Sequence, residues 1–287
     1  SLDADGFTRN WSTVNGTAFI QNHICLGGAD LEVSLTMHQM NNPAGGQALP
    51  HGLSGEPTGL LFFGTSDYSS PPRTSNDLYL NIGAWAGGNQ FLASVYSQHG
   101  VTTSNTQRAL YNSMSMGWIG GVPLRTMVVG SVGATNVNVT YPVAIVPEEQ
   151  YFYMLSIGGA KCQVGTFDCN GSTSPLTITT TGITPKLFLP VFVPLGVTNA
   201  GTVQNDLLLS IGASDGTNNV SCGITDQNGV TTTNARRYQS STSLCEYSKA
   251  GTKQFEATAA FSGESVIVTP TTANATYGQA GYLILGS

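Results

Sequence analysis

The sequence predicts an all-β protein made of two tandem antiparallel β-sandwich domains, jelly-roll-like in topology, that arose by internal duplication. Three observations predict this class: a strong internal repeat, short segments in which apolar and polar residues alternate, and a scarcity of charge. Only 9% of the 287 residues are charged, whereas a typical soluble domain has roughly 25%. This composition argues against a mostly helical protein, a coiled coil or a charged disordered tail, because those classes are rich in Glu, Lys and Arg.

The internal repeat is the most specific signal in the chain. NDLYLNIGA (residues 76–84) and NDLLLSIGA (residues 205–213) agree at seven of nine positions, at an offset of 129 residues. The same offset, without a gap, aligns 16 identical residues over the 33 positions from 76 to 108. A period of this length corresponds to a whole domain, since solenoid and propeller repeats are much shorter.

Weaker similarity extends the repeat and sets the expected domain boundaries. Residues 3–29, 133–160 and 262–287 each read as a strand, a turn-rich link and a second strand that ends in Gly-Gly or Gly-Ser. The expected units are therefore a strand pair equivalent to the end of a preceding repeat unit (1–28), a first sandwich (29–158) and a second sandwich (159–287).

Alternation of apolar and polar residues predicts the strands of each unit. Val220, Cys222 and Ile224 alternate with Ser, Gly and Thr, so one face of this strand is dry and Cys222 is expected to point toward the core. Glycine-containing turns such as Asn228-Gly229 suit the links between strands. Helical periodicity is nearly absent, and the best helix candidate is residues 106–115.

The five cysteines leave their oxidation state open. Cys162 could pair with Cys169 across a hairpin, and Cys222 could pair with Cys245 between neighbouring strands. The other interpretation is that the cysteines are free buried thiols, because Cys serves well as a small apolar residue. None of them has the C-x-x-C spacing of a zinc or thioredoxin-type site.

Residues for catalysis or metal binding are scarce, so we expect no catalytic residue, no metal site and no cofactor. Asp3 and Asp5 in DADG suggest a calcium loop, but the other ligands of such a loop are missing, which favours a turn. The four histidines lack metal-ligand spacing. The net charge of −6 argues against a nucleic-acid partner, and no apolar stretch is long enough for membrane insertion.

Two polar pairs recur at the repeat offset and are candidate structural residues. Asp77 aligns with Asp206, and Arg108 aligns with Arg237. In a chain this poor in charge, the pairs favour an intradomain salt bridge or loop-organising hydrogen bonds over a contact with a partner.

Three aromatic residues near predicted loops are candidate binding residues. Trp85, Tyr111 and Tyr238 could stack on sugar rings or pack between subunits. Trp85 aligns with a serine in the second unit, so the fold does not require it, and it is the better binding candidate.

The strings DGFTRNW (residues 5–11), NDLYLNIGA and CLGGA (residues 25–29) resemble repeat β-domain structural proteins of tailed bacteriophage virions. The resemblance implies a non-enzymatic structural or adhesion component at the virion surface: a tail fibre, a spike, a tail accessory protein or a head decoration protein. Its partners would be other copies of the chain and other virion proteins, with a host surface glycan as a further candidate. Assembly into a trimer or another ring is expected.

Two alternatives stay open. A double jelly-roll capsid protein would hold two upright sandwiches side by side. A secreted carbohydrate-binding protein or glycan-active enzyme would have a groove lined by Trp85, Tyr111 or Tyr238, with a carboxylate pair nearby.

Overall fold

A computed structural model of the chain consists of β-strands joined by turns and loops, and its described part contains no helix. The predicted all-β class is therefore confirmed. The described residues are 2–3, 6–7, 23–40, 45–65, 77–119, 123–144, 150–169, 171–194, 203–232, 234–249, 252–274 and 277–287.

The strands fall into one short ladder and four sheets. The ladder joins β1 (Leu2–Asp3) to β2 (Gly6–Phe7). The strands of the first half are β3 (Glu32–Met40), β4 (Gly46–Pro50), β5 (Gly59–Gly64), β6 (Leu78–Ala86), β7 (Asn89–Ser97), β8 (Thr106–Tyr111), β9 (Met116–Ile119), β10 (Pro123–Val132), β11 (Asn136–Ala144) and β12 (Gln150–Gly158). The strands of the second half are β13 (Lys161–Asp168), β14 (Leu176–Thr179), β15 (Pro185–Phe192), β16 (Gln204–Asn205), β17 (Leu207–Ser214), β18 (Asn219–Asp226), β19 (Arg236–Ser240), β20 (Cys245–Lys249), β21 (Thr252–Phe261), β22 (Ser265–Thr272) and β23 (Gln279–Gly286).

Each half of the chain has one large and one small antiparallel sheet, and the strand order is the same in both halves. The large sheets run β3-β12-β5-β6-β7-β8 and β13-β23-β15-β17-β18-β19, and the small sheets run β4-β11-β10-β9 and β14-β22-β21-β20. The short strand β16 departs from this pattern because it pairs with β8, at the edge of the first large sheet. The first large sheet therefore ends on a strand from the second half.

The four sheets stack in layers, with an apolar core between each pair of neighbouring layers. The first core lies between the small and large sheets of the first half, the central core between the two large sheets, and the third core between the large and small sheets of the second half. Representative pairs across the three cores are Phe62 with Val139, Phe91 with Leu283, and Phe188 with Val268. Because strand side chains alternate in direction, each large sheet contributes apolar residues to two cores.

A glycine in each large sheet allows the chain to cross it closely on the way into the small sheet. A Cβ atom on Gly83 would overlap the carbonyl oxygen of Ser115, and one on Gly212 would overlap the carbonyl oxygen of Leu244. Gly83 and Gly212 are the glycines of the repeated IGA motif. This position accepts only glycine because no side chain fits under the crossing.

Three local expectations were wrong or fall partly outside the described residues. Residues 106–115 begin with strand β8 and form no helix, because β8 completes a meander with β7. Cys222 is exposed, although it was expected to face a core. In the segment 1–28, the described residues contain only the β1–β2 ladder, residues 23–28 carry no strand, and residues 8–22 lie outside the description.

All five cysteines are free thiols. Cys162 and Cys169 lie near opposite ends of β13, so the extended chain separates them by roughly 23 Å. They cannot close a hairpin in this fold.

Candidate functional site

The first large sheet carries an apolar surface that continues beyond the central core and ends on the edge strand β3. Val33, Leu35 and Met37 of β3 are 45%, 58% and 47% exposed. Register places Leu35 beside Leu155 of β12, and Leu155 beside Leu61 of β5. Leu155 and Leu61 are partly buried against the central core, so the exposed side chains extend that core outward. We name the surface formed by Val33, Leu35, Met37, Leu61, Phe63, Tyr153 and Leu155 the open apolar face.

Strand β3 is inverted relative to an ordinary edge strand. Its polar residues Ser34, Thr36 and His38 are partly buried on the side that faces the first core, while its apolar residues face solvent. The His38 ring lies 5.8 Å from the ring of Phe152, and burial lowers the pKa of His38. A half-buried strand normally turns its apolar side inward. The inversion, together with the contiguous apolar area, marks an interaction surface.

The matching surface in the second half is covered. In the first half, Leu35, Leu155 and Leu61 lie side by side on neighbouring strands. The equivalent neighbours in the second half are Val164 of β13, Leu283 of β23 and Leu189 of β15. Val164 is 2% exposed and Leu283 is 0% exposed. Both belong to the central core, where they pack with residues of β6, β7 and β8 from the first half. In the second half, the surface that corresponds to the open apolar face is therefore covered by β6, β7 and β8 of the first half.

Arg108 is the polar anchor of the contact between the halves. It lies on β8, is 7% exposed, and donates from Nε to the Pro194 carbonyl oxygen and from Nη1 to those of Asn205 and Asp206, the last at 2.9 Å. Burial lowers the pKa of the Arg108 guanidinium, and the Asp206 carboxylate opposes this change. Because a guanidinium presents several donors in a rigid plane, one side chain satisfies three carbonyls of the second half.

The two GVTT loops also join the halves. The Ser104 amide donates to the Val230 carbonyl oxygen at 2.9 Å, and the Ser104 hydroxyl donates to that of Gln227 at 2.6 Å. The Ser104 carbonyl oxygen accepts from the Gly229 amide at 2.8 Å. These hydrogen bonds fix the edge of the contact beside β8.

The repeated aspartates organise the same loop in each half. Asp77 Oδ1 accepts from the His99 amide at 2.9 Å, and Asp206 Oδ1 accepts from the Asn228 amide at 2.8 Å. Both acceptors lie directly before a large-sheet strand, and both donors lie in the loop after the next strand. These are loop-organising hydrogen bonds of the kind expected for a recurrent carboxylate.

The repeated arginines occupy different environments. Arg108 is buried between the halves, whereas Arg237 on β19 is exposed. The expected intradomain salt bridge therefore does not describe Arg108, whose hydrogen-bond acceptors are carbonyls of the other half.

The three candidate aromatic residues do not meet in one groove. Tyr111 is 6% exposed in the first core, its hydroxyl has no hydrogen-bond partner in the described part of the chain, and burial raises its pKa. Tyr238 packs against the third core, and burial raises its pKa as well. Trp85 is partly buried against the first core and lines a shallow cleft of about 480 Å³ with Glu56 and Lys161.

A second cleft, of about 570 Å³, lies where residues 23–31 cross the end of the second large sheet. Leu26 and Leu187 contribute apolar walls, and Lys186 and Asp215 contribute charged groups. Within the described residues, no group of three or more His, Cys, Asp or Glu side chains is placed to hold a metal ion.

Sequence reasoning missed the open apolar face. The available signal was the strict alternation in EVSLTMH (residues 32–38), which predicts a strand with one apolar side. Alternation alone does not say which side meets solvent, and only the packing of the neighbouring layers shows that no described layer covers the apolar side of β3.

Comparisons with known proteins assign no role to this site. The chain matches no protein-family model, and the comparisons with curated proteins and with solved structures gave no match. Across the described ranges, none of the structure is a helix of the length and hydropathy that a membrane crossing requires.

Proposed function

We propose that the chain is a non-enzymatic structural or adhesion component of a bacteriophage virion, acting by assembly and surface binding. The observation that carries this proposal is the open apolar face on a four-layer stack of sheets. Soluble monomers rarely expose a contiguous apolar surface, whereas subunits of an assembly bury such surfaces against each other. The resemblance of residues 5–11, 25–29 and 76–84 to phage structural repeat domains supports the virion surface as the location.

The proposed architecture is an internal duplication into the units 29–158 and 159–287. The identical strand order of the halves supports it. So do the equivalent crossings over Gly83 and Gly212 and the equivalent hydrogen bonds of Asp77 and Asp206. Two unrelated sandwiches would have no reason to share these details at one offset.

We describe each unit as jelly-roll-like because of its nested strand pairing. In the first unit, β3 pairs with β12 and β4 pairs with β11, so the first strand meets the last and the second meets the penultimate. The strands β5 to β8 form a meander within the large sheet, which is where the unit departs from a two-Greek-key jelly roll.

The proposed partners are other copies of the chain and other virion proteins, with a host surface glycan as a further candidate. The two alternative functions have less support. A double jelly-roll capsid protein holds its sandwiches side by side, whereas here the large sheets face each other across the central core. A glycan-active site needs a shared aromatic groove, but Tyr111 lies in the first core and Tyr238 packs against the third.

Localisation tests the proposal. Mass spectrometry of purified virus particles from the source of the sequence should detect the chain at a fixed copy number, and antibody labelling in electron microscopy should place it on the particle surface. Absence of the chain from the particles, or a stable monomer that hydrolyses a polysaccharide, would overturn the proposal.

A further inference from the structure

We propose that the open apolar face binds the second half of another copy of this chain, through the side of β17, β18 and β19 that bears Val220, Cys222, Ile224 and Arg237. We name that side the β18 face. The proposal rests on the proposed assembly function and names the partner and the surface that this function uses.

The internal contact between the halves is heterologous, and among the described residues it leaves the open apolar face and the β18 face largely uncovered. The first half contributes mainly β6, β7 and β8 to the central core, with Ile157 at the end of β12, and the second half contributes mainly β13, β15, β17 and β23. By strand order, β13 and β23 correspond to β3 and β12, which carry the open apolar face. The strands β7 and β8 correspond to β18 and β19, which carry the β18 face. Repeating a heterologous contact between copies builds an open filament or a closed ring.

The β18 face is apolar at the positions that the internal contact buries. Val220, Cys222 and Ile224 are the repeat counterparts of Phe91, Ala93 and Val95. The first-half residues are buried in the central core, whereas Cys222 is exposed and its two neighbours are half-buried. The second half therefore presents a surface of the same kind as the one that the first half uses to cover β13 and β23.

The largest side chains of the two surfaces are complementary in size. In the internal contact, the Phe91 ring rests on Gly281, where a Cβ atom would overlap it. The repeat counterpart of Phe91 is the smaller Val220, and the register counterpart of Gly281 on β12 is Tyr153. In the internal contact, the large residue is Phe91 on the first half, and it faces Gly281 on the second half. In the proposed contact, the large residue is Tyr153, again on the first half, and it faces the smaller Val220 of the other copy. Tyr153 can thus occupy the space that Phe91 fills in the internal contact.

The arginine repeat supplies a polar anchor for the same contact. Arg108 donates to the Asp206 carbonyl oxygen across the internal contact at 2.9 Å. The counterparts are Arg237, which is exposed on the β18 face, and Asp77, which lies directly before β6 in the first half. In the proposed contact, Arg237 of one copy donates to the Asp77 carbonyl oxygen of the next copy.

Sedimentation velocity over a concentration series tests the contact. The wild-type chain should associate beyond the dimer, and Leu35→Asp should raise the apparent dissociation constant by about tenfold or more, because it places a charge in an apolar contact. Arg237→Ala should weaken association in the same direction. Thr140→Asp is the control, since Thr140 is exposed on β11 of the first small sheet, away from the open apolar face, and it should leave association unchanged.

A mixing experiment tests the head-to-tail arrangement. Leu35→Asp blocks the open apolar face, and Cys222→Asp blocks the β18 face. Each variant alone should be monomeric, and an equimolar mixture should form a one-to-one dimer that grows no further, because only one intact contact remains. In the wild-type chain, alkylation of Cys222 should slow as concentration rises, whereas in Leu35→Asp it should not.

The outcomes separate this proposal from the proposed function. If the wild-type chain associates and neither Leu35→Asp nor Cys222→Asp changes this, the chain assembles through another surface and the contact proposed here is wrong. If Leu35→Asp abolishes association but Cys222→Asp and Arg237→Ala do not, the open apolar faces pair with each other, which also overturns it. If the wild-type chain is monomeric up to its solubility limit and Leu35→Asp lowers its melting temperature, the chain covers its own face, and both the contact and the assembly function fail.

Discussion

At the scale of single residues, Arg108 and Arg237 show that equal positions in a repeat can differ in energetic role. Arg108 is buried and satisfies three carbonyls of the other half, whereas Arg237 is exposed. We expect Arg108→Ala to lower the free energy of unfolding by roughly 2–4 kcal/mol, because it leaves buried carbonyl oxygens without their hydrogen-bond donors and removes packed atoms. Arg237→Ala is the matched control and should change it by less than about 0.5 kcal/mol at concentrations where the chain is monomeric. Chemical denaturation measures both, and equal effects would contradict this assignment.

The glycines under the chain crossings make a second prediction at this scale. Gly83→Ala and Gly212→Ala each place a Cβ atom on a backbone carbonyl oxygen, which cannot move without shifting a strand. Each substitution should cost roughly 3 kcal/mol or more of unfolding free energy. Gly55→Ala is the control, since nothing lies within 4 Å of the added atom. Thermal unfolding that is unchanged in Gly83→Ala would show that the crossing is looser than described.

Thiol reactivity follows from burial. Burial, aided by the Asp168 carboxylate, raises the pKa of Cys169 to about 12, and burial raises the pKa of Cys245 well above its ordinary value. At pH 8 both thiols are protonated and should resist alkylation in the native protein, whereas the exposed Cys25 should react. Mass spectrometry of the labelled protein, with a denatured sample as the control, measures this. Native labelling of Cys169 at the rate of Cys25, or recovery of a disulfide-linked peptide, would contradict it.

At the scale of elements, the sequence predicts strands well where both faces of a strand follow a simple pattern. The alternation at Leu78, Leu80 and Ile82 lies in β6, and its repeat counterpart lies in β17. Residues 106–115 misled the prediction because β8 is buried on both sides, so its apolar residues do not alternate with polar ones. The exposure of Cys222 was also unpredictable, because it depends on how far the first half reaches across β18 and not on any property of β18 itself.

The same limit explains why the candidate site was missed. The aromatic residues Trp85, Tyr111 and Tyr238 were chosen by residue type, but Tyr111 lies in the first core, and Trp85 and Tyr238 pack against the first and third cores. The open apolar face consists of ordinary strand residues, and they matter because none of the described layers covers them. The repeat in the sequence predicts the sheets of each half, but the sequence does not show which sheets pack against each other.

At the scale of the whole molecule, the central core turns two sandwiches into one four-layer body. Residues of both halves share this core, and Arg108, Ser104 and β16 add polar contacts and strand pairing across it. The halves are therefore coupled by burial of the kind that normally lies inside a domain, rather than by the small polar interface typical of mobile domains.

This coupling predicts that the two halves unfold together. Phe255→Ala empties space in the third core, which belongs to the second half alone, and should cost roughly 3–5 kcal/mol. If the halves are coupled, calorimetry should still show one transition at a lower temperature, and hydrogen exchange at β6 and β17 should accelerate together. Phe91→Ala, in the central core, is the informative partner variant, because it removes the coupling itself and should separate the transition into two. A wild-type chain that already melts in two steps, or a Phe255→Ala variant whose first half keeps its wild-type melting temperature, would show that the central core joins the halves without coupling their stability.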